Sequence, residues 1–510
     1  MNKAMFFAVA LASASAAAQA WAGPALVPAP RKMTVGKGAY VAAAASADDV
    51  AVREVRDAAL PPEGYRLSVT TGGVSVASAD AAGAFYARQT LRQLAAPDGG
   101  RLAIPCVEIE DFPAYRWRGV LLDEVRHFFG KENVKRVLDL MAYHKLNVFH
   151  WHLTDDEGWR LEIPAFPELT RRGAVRPNSW KRGGRPHKAG GRQVIDRNTE
   201  KYGPYFYTAD DVREILAYAA ERHITVVPEI EMPGHAGAAV VSYPQLACRP
   251  EGVRERIWDA GWGNTVDVFC VGSDETIRFL EKVLDYVCEI FPSKVVHIGG
   301  DECPRTRWKE CPKCQARVKA EGLAEANDLQ AWATRHFADY LGRKGRRIMG
   351  WDEILSGDVP QSAIGMSWRE SESNGAGDRL TTGAEGARRG HDMVMSPHTL
   401  CYYDYRQDLE DDPFQYIGGH IPLEKAYSFD PCAGVAEDAR AHVLGGQCNN
   451  WTEFTWNEHD LAWKMWPRTC AMAEVLWTAP SPRDFWDFFK RMERHRRRLV
   501  SMGVNCAPLR

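Results

Sequence analysis

No stretch after residue 22 comes near the ~20 consecutive apolar residues of a membrane helix, so a helical span is not expected in the body of the chain. An excess of charge of either sign is lacking as well. The 64 Lys and Arg stand against 67 Asp and Glu, a formal net charge of -3, which removes any global attraction for nucleic acid or an anionic membrane. A neutral partner fits this balance better. There is also no second Cys-x-x-Cys to match Cys311-Pro312-Lys313-Cys314, and no thioredoxin-like βαβ context around it, so a local disulfide or free thiols are expected there rather than a metal. Cys248 and Cys270 flank a Gly-rich stretch that a bridge would close into a short loop. The 12 cysteines are compatible with an oxidising compartment without requiring one. Disorder is not indicated, because 45% hydrophobic and 26% charged residues over 510 positions suffice for one large domain and a smaller one.

Residues 1–22 have the form of a secretory leader: Lys3, the apolar run from Met5 to Ala12, then small residues ending in Ala18-Gln19-Ala20 or Ala20-Trp21-Ala22. Export to a periplasmic or extracellular space is the expectation. Residues 23–113 carry short β-rich runs at Tyr65 to Val69 and Val74 to Ala77. A helical stretch from Ala81 to Leu94 follows, and together they predict a small α/β domain that ends near Asp111-Phe112-Pro113.

From 114 to 510 short apolar strands alternate with amphipathic helices. Strands are expected at 118–122, 147–153, 224–230, 294–298, 347–351, 363–368, 392–395 and 443–446. Helical spacing joins Val134, Val137, Leu138 and Met141, then Val212, Ile215, Leu216 and Ala219, then Ile277, Leu280, Leu284 and Val287, with Thr208 and Ser273 placed as N-caps. Eight βα units predict a (β/α)8 barrel with irregular units in its later half.

Functional groups of such barrels sit at the C-terminal strand ends. Those ends carry Asp123 and Arg126, Asp155 and Asp156, Glu229, Glu231 and His235, Asp301 and Glu302, then Trp351, Trp368, and Trp451 with Glu453. The most informative stretch is His297-Ile298-Gly299-Gly300-Asp301-Glu302. Its two glycines release the backbone from the pleat, so two neighbouring carboxylates need not point to opposite faces. Tryptophan is plentiful, at 17, and flat aromatic surface is what sugar rings pack against. His150 and His152 share a strand face, a spacing open to a metal, but satisfied core histidines are the preferred reading. The stretch 171–203 holds ten Lys or Arg against two acids; a solvated insertion is preferred to an anion-facing loop. A second insertion is read at 371–386.

In order along the chain, Arg118 to Asp123 with Arg126-His127, Lys145 to Asp156, Pro228 to His235, His297 to Glu302, Gly350 to Glu353 and Trp451-Thr452-Glu453 resemble the β-N-acetylhexosaminidases of glycoside hydrolase family 20. Any one piece is weak; six in order are specific. The resemblance implies removal of terminal non-reducing β-linked GlcNAc or GalNAc with retention, through attack by the substrate's own 2-acetamido oxygen and an oxazolinium intermediate, with no metal and no cofactor. It implies that Glu302 is acid and base, that Asp301 accepts the acetamido N–H, and that His235 with Asp155 supports the acid. Trp351, Trp368 and Trp451 would enclose the N-acetyl methyl and underlie the ring. Arg118, Asp404 and Glu453 would bind sugar hydroxyls, and Tyr402 the acetamido oxygen. Glu302 is expected in a drier environment than Asp301, so that it holds a proton. The chain departs from many relatives near Tyr427-Ser428-Phe429-Asp430-Pro431, where it has no tryptophan, and its first domain looks shortened between Tyr40 and Pro61. A disaccharide-releasing relative of the lacto-N-biosidase kind, or a barrel that binds carbohydrate without turnover, are the alternatives; the oligomeric state stays open.

Overall fold

The computed structural model describes residues 23–510 apart from 178–187, 190–191, 194–200, 256, 258–265, 370–381, 411, 415–416 and 479–482. The expected leader at 1–22 and most of the stretches 171–203 and 371–386 lie outside the described residues. Among the described residues no helix is long and apolar enough to cross a membrane.

The first unit is a sheet with strand order Lys32–Ala42, Arg101–Asp111, Tyr65–Thr70, Gly73–Ser78 and Val52–Arg56, with Ala96–Asp98 pairing beside Arg101–Asp111. Val52–Arg56 joins in parallel and the other pairs are antiparallel. This edge strand lies inside the interval that looked shortened. Helix Ala81–Leu94 covers one face, its Tyr86, Ala87, Leu91 and Leu94 packing with Leu67, Val69, Val74 and Val76. Its start is fixed by Asp80, whose carboxylate accepts the Gly83 N–H at 2.8 Å.

The second unit is a closed barrel of eight parallel strands. They are Trp117–Asp123, Val148–His152, Thr225–Glu229, Val295–His297, Arg347–Trp351, Ile364–Ser367, Met393–Met395 and Val443–Asn450. All eight expected strands are present, the last reaching further than its apolar run suggested. Runs such as Val148–His152 are buried at every position, as strands covered on both faces must be. Helix Ala209–Ala220 opens with a capping box between Thr208 and Asp211. Ser273 precedes helix Asp274–Ile290, but its side chain makes no cap hydrogen bond. The later half is irregular: only a 3-10 turn, Asp352–Leu355, stands between the fifth and sixth strands.

One expected site residue belongs to this framework instead. Arg118 is the second residue of the first barrel strand, roughly 16 Å of extended chain away from its C-terminal end. Its guanidinium is fully buried and donates to the carbonyls of Lys145 and Tyr115 at 2.8 Å each; it also pairs with Glu63 of the small domain. Beside it Lys145 pairs with Asp111 at 2.9 Å, and Asp111 also accepts the Trp477 Nε1–H. Arg118 is a buried fastening between the two units and does not reach the rim, which corrects its assignment to sugar binding.

Candidate active site

The C-terminal rim is organised by a chain of alternating acids and histidines. Glu229, at the end of the third strand, is buried among His150, His152 and His297, with His297 Nδ1 at 2.9 Å and His150 Nε2 at 3.2 Å. It also accepts Trp351 Nε1–H at 2.8 Å, which anchors that indole. Both strand histidines face this carboxylate, His152 through its Nδ1, while His150 Nδ1 meets the Gln447 side chain at 2.9 Å. Burial drives the His150 pKa down to about 4. Burial also works against the His152 cation, but Glu229 and Asp155 overcome it and carry that pKa up to about 10.

His152 Nε2 lies 2.9 Å from Asp155, whose other oxygen lies 3.1 Å from His235 Nδ1. Burial opposes the Asp155 charge, yet Arg126, His235 and His152 hold the carboxyl well below its ordinary range. His235 is buried too, and Asp155 and Asp301 outweigh that burial and keep its imidazole well above the ordinary histidine value. On its far side His235 Nε2 stands 3.5 Å from Asp301 and 4.0 Å from Glu302. One cationic imidazole therefore faces both neighbouring carboxylates.

The glycines make that possible. Gly299 and Gly300 have φ of 63° and 91°, and a Cβ on Gly299 would lie 1.7 Å from the Glu231 carboxyl. Glu302 and His235 themselves adopt left-handed backbone, each at φ 45°, a conformation rare outside glycine and common at functional turns. Burial, helped by Asp301 and Glu229, pushes the Glu231 carboxyl well above its ordinary range.

The expected order of burial is reversed. The Asp301 side chain is 15% exposed and that of Glu302 is 43% exposed. Glu302 projects outward at the end of the turn, while Asp301 is sunk below it. The Glu302 N–H points to Glu353 Oε1 at 3.3 Å. Glu353 also receives Arg369 at 2.8 Å and Trp368 Nε1–H at 3.3 Å. Burial and nearby Asp301 push its pKa up to about 8 against that arginine. In the sequence Glu353 stood only as the end of the motif Gly350 to Glu353, with no role given to it.

Four aromatic rings run beside the carboxylates. Trp351 meets Trp451 at 5.8 Å between centroids, Trp451 meets Tyr402 at 6.1 Å, and Tyr402 stacks on Trp368 at 6.1 Å with 15° between planes. Of the three clustered tyrosines, Tyr402 joins this wall, whereas Tyr403 is buried and donates to the Arg468 carbonyl. Tyr427 stacks on Phe488 and Phe429 is buried in the core, so neither adds to the wall. Asp404 is buried with neither carboxyl oxygen hydrogen-bonded among the described residues, and Asp301 Oδ1 is in the same state. Burial, reinforced by Glu453, holds Asp404 well above the usual carboxylate range.

The arginine of the rim is Arg126. It contacts Asp155 at 2.8 Å, Glu157 at 2.9 Å, Asp123 at 3.2 Å and Glu453 at 3.5 Å, and lies over the Trp451 ring at 5.3 Å. The sequence placed it at the strand end; eight positions upstream, Arg118 offered a competing guanidinium in the same motif.

Replacing Asp155 by Asn tests the relay. The His235 titration should fall towards the ordinary value near 6.5, and turnover should fall by about 10²-fold through misplacement of the imidazole. The stability gap between wild type and the variant should be widest between about pH 4 and 6.5. It narrows below that window as Asp155 protonates, and above it as pH rises through the raised His235 value. Histidine-selective NMR and melting curves across pH measure both; an unmoved His235 titration would remove Asp155 from the relay.

Comparison with known proteins gives a consistent picture. The model of glycosyl hydrolase family 20, catalytic domain, matches residues 115–480, and that of glycosyl hydrolase family 20, domain 2, matches residues 31–112. A β-hexosaminidase of Porphyromonas gingivalis is 40% identical over 88% of this chain and 55% of its own length; one of Vibrio furnissii is 37% identical over 80% and 64%. The chain thus spans less than two thirds of these two curated relatives. The crystal structure of an exo β-N-acetylglucosaminidase from Vibrio harveyi in complex with N-acetylglucosamine superposes with a TM-score of 0.82 at 31% identity, over 95% of this chain and 78% of that one. With both units matched and so much of the sequence shared, the chain belongs to glycosyl hydrolase family 20.

Proposed function

We propose that the protein is an exo-acting, retaining glycoside hydrolase that removes terminal β-linked N-acetylhexosamine from glycans, and that it works outside the cytoplasm, as the leader-like residues 1–22 suggest. The observation that carries the reading is the placement of Asp301 and Glu302 on one face of His235, the first sunk beside the aromatic wall and the second projecting. An acid and a nucleophile of the ordinary retaining kind flank the scissile bond at about 5 Å, usually from separate elements. Here consecutive residues divide the work differently.

The 2-acetamido oxygen attacks the anomeric carbon while Glu302 gives its proton to the departing glycosidic oxygen. The bond from carbon to that oxygen breaks, and a cyclic oxazolinium forms. Asp301 accepts the amide N–H and offsets the charge that grows on that group. Water then adds at the anomeric carbon, Glu302 takes its proton, and the amide is restored. Intramolecular attack can supply roughly 7–11 kcal/mol when the group is well held. Trp351, Trp451, Tyr402 and Trp368 provide that hold, and Asp404, Glu453 and Arg126 are placed to take sugar hydroxyls.

A chromogenic β-N-acetylglucosaminide tested beside the matching β-glucoside separates the readings. Cleavage of the first alone is expected. Equal cleavage of both would remove the acetamido group from the mechanism, and cleavage of neither would leave the disaccharide-releasing enzyme and the binding barrel, which an aryl lacto-N-bioside then separates.

A further inference from the structure

Away from the rim, three separate stretches bring four cysteines to one point. Cys248 and Cys270 become neighbours because Ala247 and Phe269 form an antiparallel bridge and the Cys270 N–H donates to the Leu246 carbonyl at 2.8 Å. Cys311 is the N-cap of helix Pro312–Ala320 and Cys314 lies in its first turn, so the Cys-x-x-Cys turn directs both sulfurs to the same side. Gly272 lets the two stretches meet: a Cβ there would stand 2.3 Å from the Cys314 backbone nitrogen. Its own N–H donates to the Cys270 sulfur. Cys270, Cys311 and Cys314 are buried and Cys248 is half-buried.

The sulfur geometry decides between chemistries. Cys248 and Cys314, Cys270 and Cys311, and Cys270 and Cys314 are each 3.7 Å apart, and all four sulfurs lie within 4.8 Å of one another. A disulfide needs about 2.05 Å between one pair and leaves the other sulfurs out. Four thiolates held about 2.3 Å from a common centre stand about 3.8 Å apart at the corners of a tetrahedron, which is the arrangement zinc prefers in closed sites. The sequence offered one Cys-x-x-Cys and no second; here the other two ligands come singly, from opposite ends of one long connection after the third strand.

We propose that Cys248, Cys270, Cys311 and Cys314 form a structural tetrathiolate site for a divalent cation of the zinc class. The site fastens the loop after the third strand to the loop after the fourth. Phe269, next to Cys270, donates its N–H to the Pro233 carbonyl two residues before His235, and its own carbonyl accepts Trp308 Nε1–H. Gly234 packs against Asp301 and Cys303, with 3.1 Å from an added Cβ to the Asp301 carbonyl. The metal therefore holds the loops that carry His235, Asp301 and Glu302 in register without touching substrate. Because such sites are part of the fold, removal of the cation is removal of folding free energy.

Full-length protein purified without a metal column or chelator should contain one zinc per chain by elemental analysis. A thiol-specific mercurial should release it, and the melting temperature should drop with the loss. After exchange, Co(II) should give the intense visible bands of a tetrahedral tetrathiolate. Cys314→Ser should lose most of the zinc, and if that variant fails to fold, the cobalt spectrum of the wild-type chain still decides. Less than a tenth of an equivalent of zinc together with no cobalt spectrum in the reduced protein overturns the site. So does a metal-free chain in which peptide mapping finds Cys248 joined to Cys314 or Cys270 to Cys311.

Discussion

Glu302→Gln should lower turnover of a substrate with a poor leaving group by about 10²–10⁴-fold, the usual worth of a positioned acid and base. That is about 2.7–5.5 kcal/mol of barrier. The amide keeps the size of the side chain and its ability to donate a hydrogen bond, but it cannot transfer the proton. Glu302 is partly exposed and keeps its backbone contact to Glu353 through its N–H, so the variant should melt close to wild type. An aryl glycoside, whose leaving oxygen needs little protonation, should lose much less in the bond-breaking step. Its hydrolysis should then be limited by water attack, which still lacks a base. Unchanged turnover on the poor leaving group would take the proton-transfer role away from Glu302. A single uniform loss on every leaving group would move that role to another residue and leave Glu302 with binding only.

The strands of the barrel were legible because each is a short apolar run bounded by polar or Gly-rich segments, a pattern local enough to read without the fold. The same locality made the strand ends legible, and with them Asp155, His235, Asp301, Trp351 and Trp451. What a local pattern does not carry is the direction of a long side chain or the depth of a turn. Arg118 and Arg126 stand in one motif, and only the strand geometry sends one to the seam with the small domain and the other to the rim. Glu302 was expected to be the drier of the two carboxylates on chemical grounds. The left-handed turn instead projects it outward and sinks Asp301. Glu353 was visible as part of a motif, but its partners come from elsewhere in the chain, Trp368 and Arg369 from the end of the next strand and Glu302 from the turn after the strand before. The cysteines were the hardest to read. Of the three spacings between the four cysteines only that from Cys311 to Cys314 has the short form of a zinc site, because Cys248 and Cys270 stand singly in the sequence and meet the Cys-x-x-Cys only in space.

Arg126→Ala should destabilise the protein by about 3–5 kcal/mol at neutral pH, the cost of removing one partner from a buried ion pair. It leaves Asp123, Asp155, Glu157 and Glu453 facing one another around the missing guanidinium. Mutual repulsion raises their affinity for protons in the folded state above that in the unfolded chain, so the variant binds more protons when folded across the carboxylate range. Its stability therefore falls as pH rises, and the deficit should shrink when the protein is melted at pH 5 instead of pH 7. Burial already pushes Glu157 up to about 7 and raises Glu453 even with the arginine in place, which makes these two the first to take up protons in its absence. Arg118→Met is the informative control, because that side chain is at least as buried but serves the seam with Glu63, Tyr115 and Lys145. Loss of its hydrogen bonds should lower the melting temperature, while KM for an N-acetylglucosaminide stays at the wild-type value. Arg126→Ala should raise KM as well, since Arg126 lies between Glu453 and the Trp451 ring. If KM instead rises only in Arg118→Met, the guanidinium that reads the sugar is the one at the seam, and the rim has been assigned to the wrong arginine.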